Sequence, residues 1–236
     1  MIRRTIMVDE LRILFQYCPD LNTTLEEYNA AIIEENCLGK VSMSARRLTS
    51  GYLRTLYSLD YRAPSFRAFK TLWLKKDCNQ NLLAMQCACN SDAVVRNSVT
   101  YFISKKPDET IDTETTQVWV ETTYPNRFSS VSACSVAKDL NSSWAQAGYF
   151  HGTRPRKRVH VNAGMGNAVY AFFLAHSEGL CGLNLLENDH TRLLEVDKGE
   201  LISLATAAAR QGLLVFHHLN DVIEMQFPLF QKVNAQ

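Results

Sequence analysis

The chain has 236 residues, of which 25 are basic and 24 acidic, so its formal net charge at pH 7 is +1. This balance excludes a strongly basic or strongly acidic chain, so the net charge alone does not indicate a nucleic-acid binder. A chain of this length can form one or two domains with a sizeable core. The longest apolar run, 168–175, is far shorter than the roughly 18 to 20 residues of a membrane-spanning helix. We therefore expect a soluble protein without a membrane partner.

The charges are unevenly distributed along the chain. Residues 40–76 contain nine basic residues and one acidic residue, whereas the part that follows Ala171 contains eight acidic and four basic residues. Such a dipolar chain steers a polyanion toward one part of its surface. The acidic part is then left for packing or for a protein partner.

Three helices are predicted in the first 60 residues. The first spans 8–17, and the second begins at one of two capping-box spacings, at Thr23 or Thr24, and runs toward Glu35. The third spans 45–59, after a turn that contains a glycine. Two short helices, a turn and a longer helix together are typical of a helix-turn-helix unit.

The third helix, which starts after Ser42 or Ser44, has one apolar and one basic face. Its apolar positions at helical spacing are Ala45, Leu48, Tyr52, Leu56 and Leu59. The opposite side carries Ser50 with the arginines Arg46, Arg47 and Arg54. This arrangement favours contact between the arginine face and DNA, and the alternative is an ordinary surface helix with an arginine-rich face.

The middle of the chain is predicted to continue in three helices, over 61–76, 81–88 and 93–103. Segment 105–116 is the most polar stretch and the best candidate for a linker. We therefore expect two domains. Residues 1–110 form a helical domain with the helix-turn-helix unit, and residues 111–236 form a helical domain with a basic wing and a terminal β-hairpin.

Residues 132–161 are typical of a DNA-binding helix that is followed by a basic wing. The apolar positions of the helix are Ala133, Val136, Ala137, Leu140, Trp144 and Ala147. Its opposite face carries Lys138, and Gly148 suits the left-handed conformation that ends a helix. The hairpin that follows carries four cations in five residues, namely Arg154, Arg156, Lys157 and Arg158. Cations this close together suit a phosphate backbone, although a solvated basic loop is the alternative interpretation.

The last third of the chain is predicted to contain two helices and a hairpin. An apolar helix spans 168–177, and a second helix begins at the Asp197 capping position and ends at Gly212. Two strands, 213–219 and 222–227, flank a turn at Asn220-Asp221. The expected fold class is therefore mainly α, with helix-turn-helix or winged-helix units and short β-hairpins in two lobes.

No motif for catalysis, a metal or a cofactor is recognisable. The pair Gly164 and Gly166 lacks the third glycine of a dinucleotide-binding loop, so a turn before a helix is favoured. Seven scattered cysteines without an even framework favour a reducing cytoplasm. Cys87 and Cys89 are two residues apart on one helix, so their thiols point to different faces, which suits core packing better than a tetrahedral metal site. We expect no enzyme activity, no metal and no cofactor, with a hidden nuclease as a remaining alternative.

Two segments resemble a known family. Segment 36–56, with its Ser-Ala-Arg-Arg-Leu run at 44–48, looks like the amino-terminal unit of BrxA-type proteins, which are accessory components of bacterial BREX phage-defence systems. Segment 141–149 is similar to the family's second helical region. The resemblance covers most of 22–228, and it implies a mainly helical, cytoplasmic protein that binds double-stranded DNA without known catalysis. It carries over Arg46, Arg47 and Arg54 as contact residues.

We therefore expect a non-catalytic accessory protein of a BREX-like defence system that binds double-stranded DNA mostly through its phosphates. The alternative is a protein–protein adaptor of a defence complex that does not bind DNA directly. Other subunits of the same system are the further expected partners. The expected DNA-contacting residues are Lys40, Ser44, Arg46, Arg47, Arg54, Lys138, Arg154, Arg156, Lys157 and Arg158.

Overall fold

The computed structural model describes residues 4–220 and 222–231, and within them the chain forms twelve α-helices and five short strands. The helices are α1 Val8–Tyr17, α2 Leu25–Asn29, α3 Met43–Tyr57, α4 Pro64–Trp73, α5 Gln80–Ser91, α6 Ala93–Ile103, α7 Thr113–Thr123, α8 Ser130–Gln146, α9 Met165–Ser177, α10 Asp189–Arg192, α11 Lys198–Arg210 and α12 Pro228–Gln231. The strands are β1 Thr110–Ile111, β2 Phe150–His151, β3 Arg156–Arg158, β4 Val215–Leu219 and β5 Val222–Gln226. A π-helical turn, Ala30–Glu34, continues α2, and a 3-10 turn, Gly182–Leu185, precedes α10. The predicted fold class, mainly α with short β-hairpins, is confirmed at this level.

Side-chain caps explain where several helices begin. The Thr24 hydroxyl accepts the N–H of Glu27, and the Glu27 carboxylate accepts the N–H of Thr24, which is a complete capping box. Ser42 caps α3 and Asp197 caps α11 in the same way, through their side-chain oxygens. Helices α1 and α6 have the bounds that the sequence predicts.

Helix α9 lies at the centre of the core. Its eleven residues from Met165 to Ala175 are all buried, and it packs against α4, α5, α10 and α11. Gly166 allows the close approach of the segment before α5, because a Cβ at this position would lie 2.7 Å from Cβ of Cys78. The glycine pair before α9 therefore serves a tight helix start, as the turn interpretation predicts.

The buried hydrophobic residues of the described chain form one cluster that extends from Ile6 to Phe230. The expected domain boundary between Thr110 and Ile111 falls inside β1. The division into two domains, and with it the arrangement in two lobes, stays a prediction.

A three-stranded antiparallel sheet contains the basic hairpin, in the order β1-β3-β2. Thr110 is opposite Lys157 and Ile111 is opposite Arg156, so β3 is the middle strand. The polar segment 105–116 is thus not a linker in this structure, since it contains β1 and the first turn of α7. Its polar residues supply turns and a helix cap, which is why its composition resembles that of a loop.

The buried face of α3 differs from the one predicted. Leu48, expected in the apolar stripe, is 51% exposed, whereas Ser50, expected among the arginines, is 4% exposed. Ser50 donates to Oδ1 of Asn29 at 2.6 Å, so small polar side chains let α3 pack against the end of α2 and the π-helical turn that follows it. The buried residues of α3 are Thr49, Ser50, Leu53, Leu56 and Tyr57. The face is turned by about one residue, or roughly 100°, from the predicted one.

The predicted terminal hairpin is confirmed. Strands β4 and β5 are antiparallel, with Val215 opposite Gln226 and Leu219 opposite Val222. Asp221, which was expected in the turn and among the acidic residues, lies outside the described residues, as does Lys232. Among the residues that the structure covers, no helix has both the length and the apolar composition needed to cross a membrane.

Candidate nucleic-acid interface

A cationic cleft of about 470 Å³ lies between the β2–β3 hairpin, the middle of α8 and the start of α7. Three cations line it, namely Lys138 from α8 and Arg154 and Arg156 from the hairpin. They come from two separate parts of the chain, and all three belong to the expected DNA-contacting set. The structure therefore brings together the cationic end of the hairpin and the polar face of α8.

Helix α8 presents the polar floor of this cleft because its apolar stripe is buried on the other side. The predicted stripe is confirmed, since Ala133, Leu140 and Trp144 are fully buried. Asn141, at the edge of the stripe, donates to the backbone carbonyl of Asp112 at 3.0 Å and accepts from Oγ1 of Thr116 at 2.9 Å. These bonds fix α8 against the start of α7, so the two walls of the cleft have a defined spacing.

Two glycines shape the hairpin that carries the arginines. Gly148 has a φ of 95°, so it ends α8 in the left-handed conformation that the sequence predicts. Gly152 has a φ of 76°, and a Cβ there would lie 2.8 Å from the carbonyl oxygen of Pro155. This tight turn places Arg154 and Arg156 on the cleft side, where Nη2 of Arg156 is 3.4 Å from Oγ of Ser142.

One carboxylate, that of Asp112, also lines the cleft. Its Oδ1 accepts the backbone N–H of Thr115 at 2.7 Å and thereby caps α7. The positive end of the helix dipole offsets part of its charge. Three cations against one capping carboxylate leave the cleft with a formal charge of +2.

Asp139, the acidic residue that follows Lys138 in the sequence, is directed away from the cleft. Asp139 is half-buried near the amino-terminal segment, where burial raises the pKa of its carboxyl and the charge of Arg4 opposes that shift. The backbone of Ile6, in the same segment, donates to Oγ of Ser143 at 3.1 Å. Asp139 therefore belongs to the contact between α8 and the amino-terminal segment and does not line the cleft.

Arg158 must be removed from the expected contact set. It is 2% exposed, its guanidinium lies 5.1 Å from the centre of the Tyr149 ring, and its Nε donates to the carbonyl of Phe102 at 3.2 Å. Its Nη2 donates to the carboxylate of Glu195, whose side chain is also buried. All four cations of the hairpin were expected on the surface, but the contacts with Phe102, Tyr149 and Glu195 hold Arg158 in the core.

Lys157 lies on the other face of β3 from Arg156 and Arg158. It is half-buried, and its backbone pairs with both Thr110 and His151. Because its neighbours on both sides point away, Lys157 does not line the cleft. The four cations that were expected together are therefore separated. Arg154 and Arg156 line the cleft, Lys157 lies on the opposite face of the sheet, and Arg158 is in the core.

The basic segment 40–76 is mostly occupied with structural contacts. Lys40 forms an ion pair with Glu10 at 3.0 Å, and Arg46 donates to the carbonyl of Ile33 at 3.1 Å. The other cations in such contacts are Arg62 with Asp60, Arg67 with the carbonyl of Phe230, and Lys70 with the carbonyl of Cys18. Lys40 and Arg46 thus make contacts within the chain, because the rotation of α3 turns Arg46 toward its neighbour, and their contact with DNA stays a prediction.

The exposed side of α3 retains Ser44, Arg47 and Arg54 from the expected set. On the opposite flank, Tyr52 lies against Arg4, with 5.2 Å between the guanidinium and the ring centre. Arg47 and Arg54 are roughly 140° to 160° around the helix from Tyr52. The amino-terminal segment, which contacts Tyr52 through Arg4 and α8 through Ile6, therefore lies on the side of α3 away from Arg47 and Arg54. No described contact joins these two arginines to the cleft.

Sequence reasoning missed the contribution of α7 to the cleft. Asp112 followed by three hydroxyl- or carboxyl-bearing residues is a helix-start signal, but the polar composition favoured a linker. Among the described residues no group of three or more His, Cys, Asp or Glu side chains is arranged to hold a metal.

Comparisons with known proteins identify no relative of this chain. No family model matches the chain, and neither the curated proteins nor the solved structures contain a significant match.

Proposed function

We propose that this chain is a non-catalytic, double-stranded DNA-binding accessory protein that acts in the cytoplasm as part of a BREX-like phage-defence system. The observation that carries DNA binding is the convergence of Lys138, Arg154 and Arg156 on one cleft. Two guanidinium groups and an ammonium group at one place suit phosphate oxygens better than any neutral ligand. The defence role is supported by the sequence resemblance to BrxA-type proteins.

In this proposal the β2–β3 hairpin is the wing and α8 is the helix beside it. A duplex lies across the mouth of the cleft, where Arg154 and Lys138 are exposed. Few amide side chains accompany these cations, so the contacts are mostly to phosphates and depend little on base sequence. The face of α3 with Arg47 and Arg54 is a second, separate contact with the backbone.

The test is fluorescence anisotropy of a short labelled duplex, measured as a salt series. Replacing Lys138, Arg154 and Arg156 together with Gln is expected to weaken binding by about tenfold or more and to reduce the salt slope by roughly 2 to 3. The matched control replaces three exposed cations elsewhere, Lys75, Lys76 and Lys198, with Gln.

Equal losses in the two triple variants would show that binding follows total charge and would contradict a role for the cleft. A wild-type protein that does not bind duplex DNA at low salt would contradict the proposed function as a whole. Both triple variants should keep the wild-type circular dichroism spectrum, because each replaced side chain is exposed or half-exposed.

A second candidate function, that of a protein–protein adaptor, is favoured by the terminal hairpin. Leu219 and Val222 are opposite each other at its tip and are 74% and 70% exposed. Two aliphatic side chains on a projecting two-stranded sheet are suited to a protein surface. The test is co-elution in size-exclusion chromatography with each product of the same operon. The proposal predicts that the Leu219→Ser, Val222→Ser variant loses a partner that wild-type protein retains.

A further inference from the structure

We infer that the cleft is a site for a phosphate monoester, the chemical group at the end of a DNA strand or on a free nucleotide. The inference rests on the proposed function, since it concerns the same cleft, and it narrows the ligand from any backbone phosphate to a terminal one. Four properties of the cleft support it, namely its size, its charge, its donors and its rigidity.

The size of the cleft suits one small group. Its volume of about 470 Å³ lies in the range of small-molecule sites, roughly 300 to 1,000 Å³. A duplex has a major groove alone about 12 Å wide, so it can only lie across the mouth. The group that enters the cleft must therefore be small, as a phosphate group is.

The charge of the cleft matches a monoester better than a diester. Lys138, Arg154 and Arg156 with Asp112 give a formal charge of +2. A phosphate monoester carries about −1.5 to −2 at neutral pH, whereas each backbone diester carries a single negative charge. A monoester thus neutralises the cleft, and a diester leaves about one positive charge without a counterion.

Hydrogen-bond donors from the hairpin, α8 and α7 line the cleft. Nη2 of Arg156 is 3.4 Å from Oγ of Ser142 in α8, and Thr113, the first residue of α7, also lines the cleft. The first backbone N–H groups of an α-helix have no partner within the helix, and in α7, which has eleven residues, Asp112 accepts only that of Thr115 through its side chain. A monoester has three terminal oxygens and one substituent, so it can enter between these donors. A diester has two such oxygens and a sugar on each side.

The two walls of the cleft are connected through β1. Ile111 is opposite Arg156 in the sheet, and Asp112, which caps α7, follows Ile111 directly. The bond from Asn141 to the carbonyl of Asp112 adds a link to α8. The hairpin, α7 and α8 thus hold the walls of the cleft at a defined spacing before a ligand arrives, which lowers the cost of binding a small anion.

The test compares internally labelled duplexes of one sequence that carry either a 5′-phosphate or a 5′-hydroxyl at both ends. We expect wild-type protein to bind the phosphorylated duplex about fivefold to tenfold more tightly, as a charge-assisted bidentate contact is gained. The Arg154→Gln, Arg156→Gln variant should lose this preference. The control variant Lys75→Gln, Lys76→Gln should keep it.

Competition with a nucleoside 5′-monophosphate and with the matching nucleoside distinguishes the two sources of the monoester. Displacement of the phosphorylated duplex by the monophosphate at similar concentrations assigns the site to free nucleotides, and displacement only at large excess assigns it to DNA ends. Both results support the monoester site, provided that the nucleoside does not compete.

Equal affinities for the two duplexes, together with no competition by the monophosphate, would overturn the monoester site while leaving DNA binding intact. Failure of wild-type protein to bind either duplex would overturn the proposed function, and direct titration with the monophosphate then decides the monoester site separately. If the double arginine variant does not fold, Lys138→Gln, at an exposed position of α8, replaces it in the same comparison.

Discussion

Nη2 of Arg158 in β3 donates to the carboxylate of Glu195, a residue that follows the short helix α10. This ion pair is buried on both sides and connects the middle strand of the hairpin sheet with the last third of the chain. Glu195 also accepts the backbone N–H of Val161 at 3.1 Å. The basic hairpin is thus anchored by one of its own cations.

Replacing Arg158 with Ala is expected to lower the free energy of unfolding by about 3 to 5 kcal/mol, because Glu195 would remain buried without its partner. Chemical denaturation in urea measures this loss. Arg154→Ala is the control and should change the free energy of unfolding by less than about 0.5 kcal/mol, since this side chain is exposed. A double variant, Arg158→Met with Glu195→Gln, should be more stable than Arg158→Ala. If Arg158→Ala is as stable as wild type, the buried pair does not anchor the hairpin.

Gly152→Ala is expected to weaken duplex binding severalfold through the shape of the hairpin. The substitution forces a Cβ against the carbonyl of Pro155 and a left-handed conformation that costs roughly 1 to 2 kcal/mol. Gly39→Ala is the matched control, because Gly39 also has a positive φ of 61° but an added Cβ meets no atom within 4 Å. Unchanged affinity in Gly152→Ala would show that the turn does not position Arg154 and Arg156.

The two cationic surfaces are expected to act independently. Arg47→Glu with Arg54→Glu on α3 should weaken duplex binding, and its effect on the binding free energy should add to that of the triple cleft variant within about 0.5 kcal/mol. Anisotropy titrations of wild type, the two variants and their combination form the required cycle. A strong deviation from additivity would contradict this independence and would mean that the same segment of the duplex binds both surfaces.

Stability is expected to fall as the pH rises above about 9, the ordinary pKa of a cysteine thiol. Burial raises the pKa of Cys78 and of Cys87 to about 12, and it also raises the pKa of the Tyr170 phenol. The folded state therefore keeps protons that the unfolded state releases, so unfolding becomes more favourable with increasing pH. Lys70 acts in the opposite direction, since burial lowers the pKa of its ammonium group to about 8.

Thermal melting between pH 9 and pH 11 in a reducing buffer checks this pH dependence. Several buried groups have a raised pKa, whereas Lys70 has a lowered one. The melting temperature should therefore decrease over this pH range. Cys87→Ala should have a shallower dependence than wild type. Cys181→Ala, at an exposed position, should have the wild-type slope. A melting temperature that rises with pH would indicate that Lys70 dominates.

Local signals in the sequence predict the helices well, because caps and apolar periodicity are properties of neighbouring residues. The bounds of α6 and the buried stripe of α8 are examples. The face of α3 is not predicted, since Thr49 and Ser50 are buried by tertiary packing, which includes the bond from Ser50 to Asn29. The role of Arg158 was missed for the same reason, as Glu195 is 37 residues away in the sequence.

The cleft is predictable only in part. Lys138, Arg154 and Arg156 are recognisable as cations on a helix face and on a hairpin, but their convergence depends on the pairing of β1 with β3. A strand of two residues leaves almost no pattern in a sequence. The wall that α7 provides is therefore visible only in three dimensions.

The alternation of side chains along β3 limits how the hairpin can evolve. Arg156 faces the cleft, Lys157 faces away from it, and Arg158 reaches the buried Glu195. Inserting or deleting one residue in this strand would exchange the two faces, placing Lys157 against the core and withdrawing arginines from both the cleft and Glu195. Substitutions at the tip can be tolerated one at a time, whereas a change of length would damage ligand binding and folding together. In homologues we therefore expect the length of this hairpin to vary less than the identity of its exposed residues.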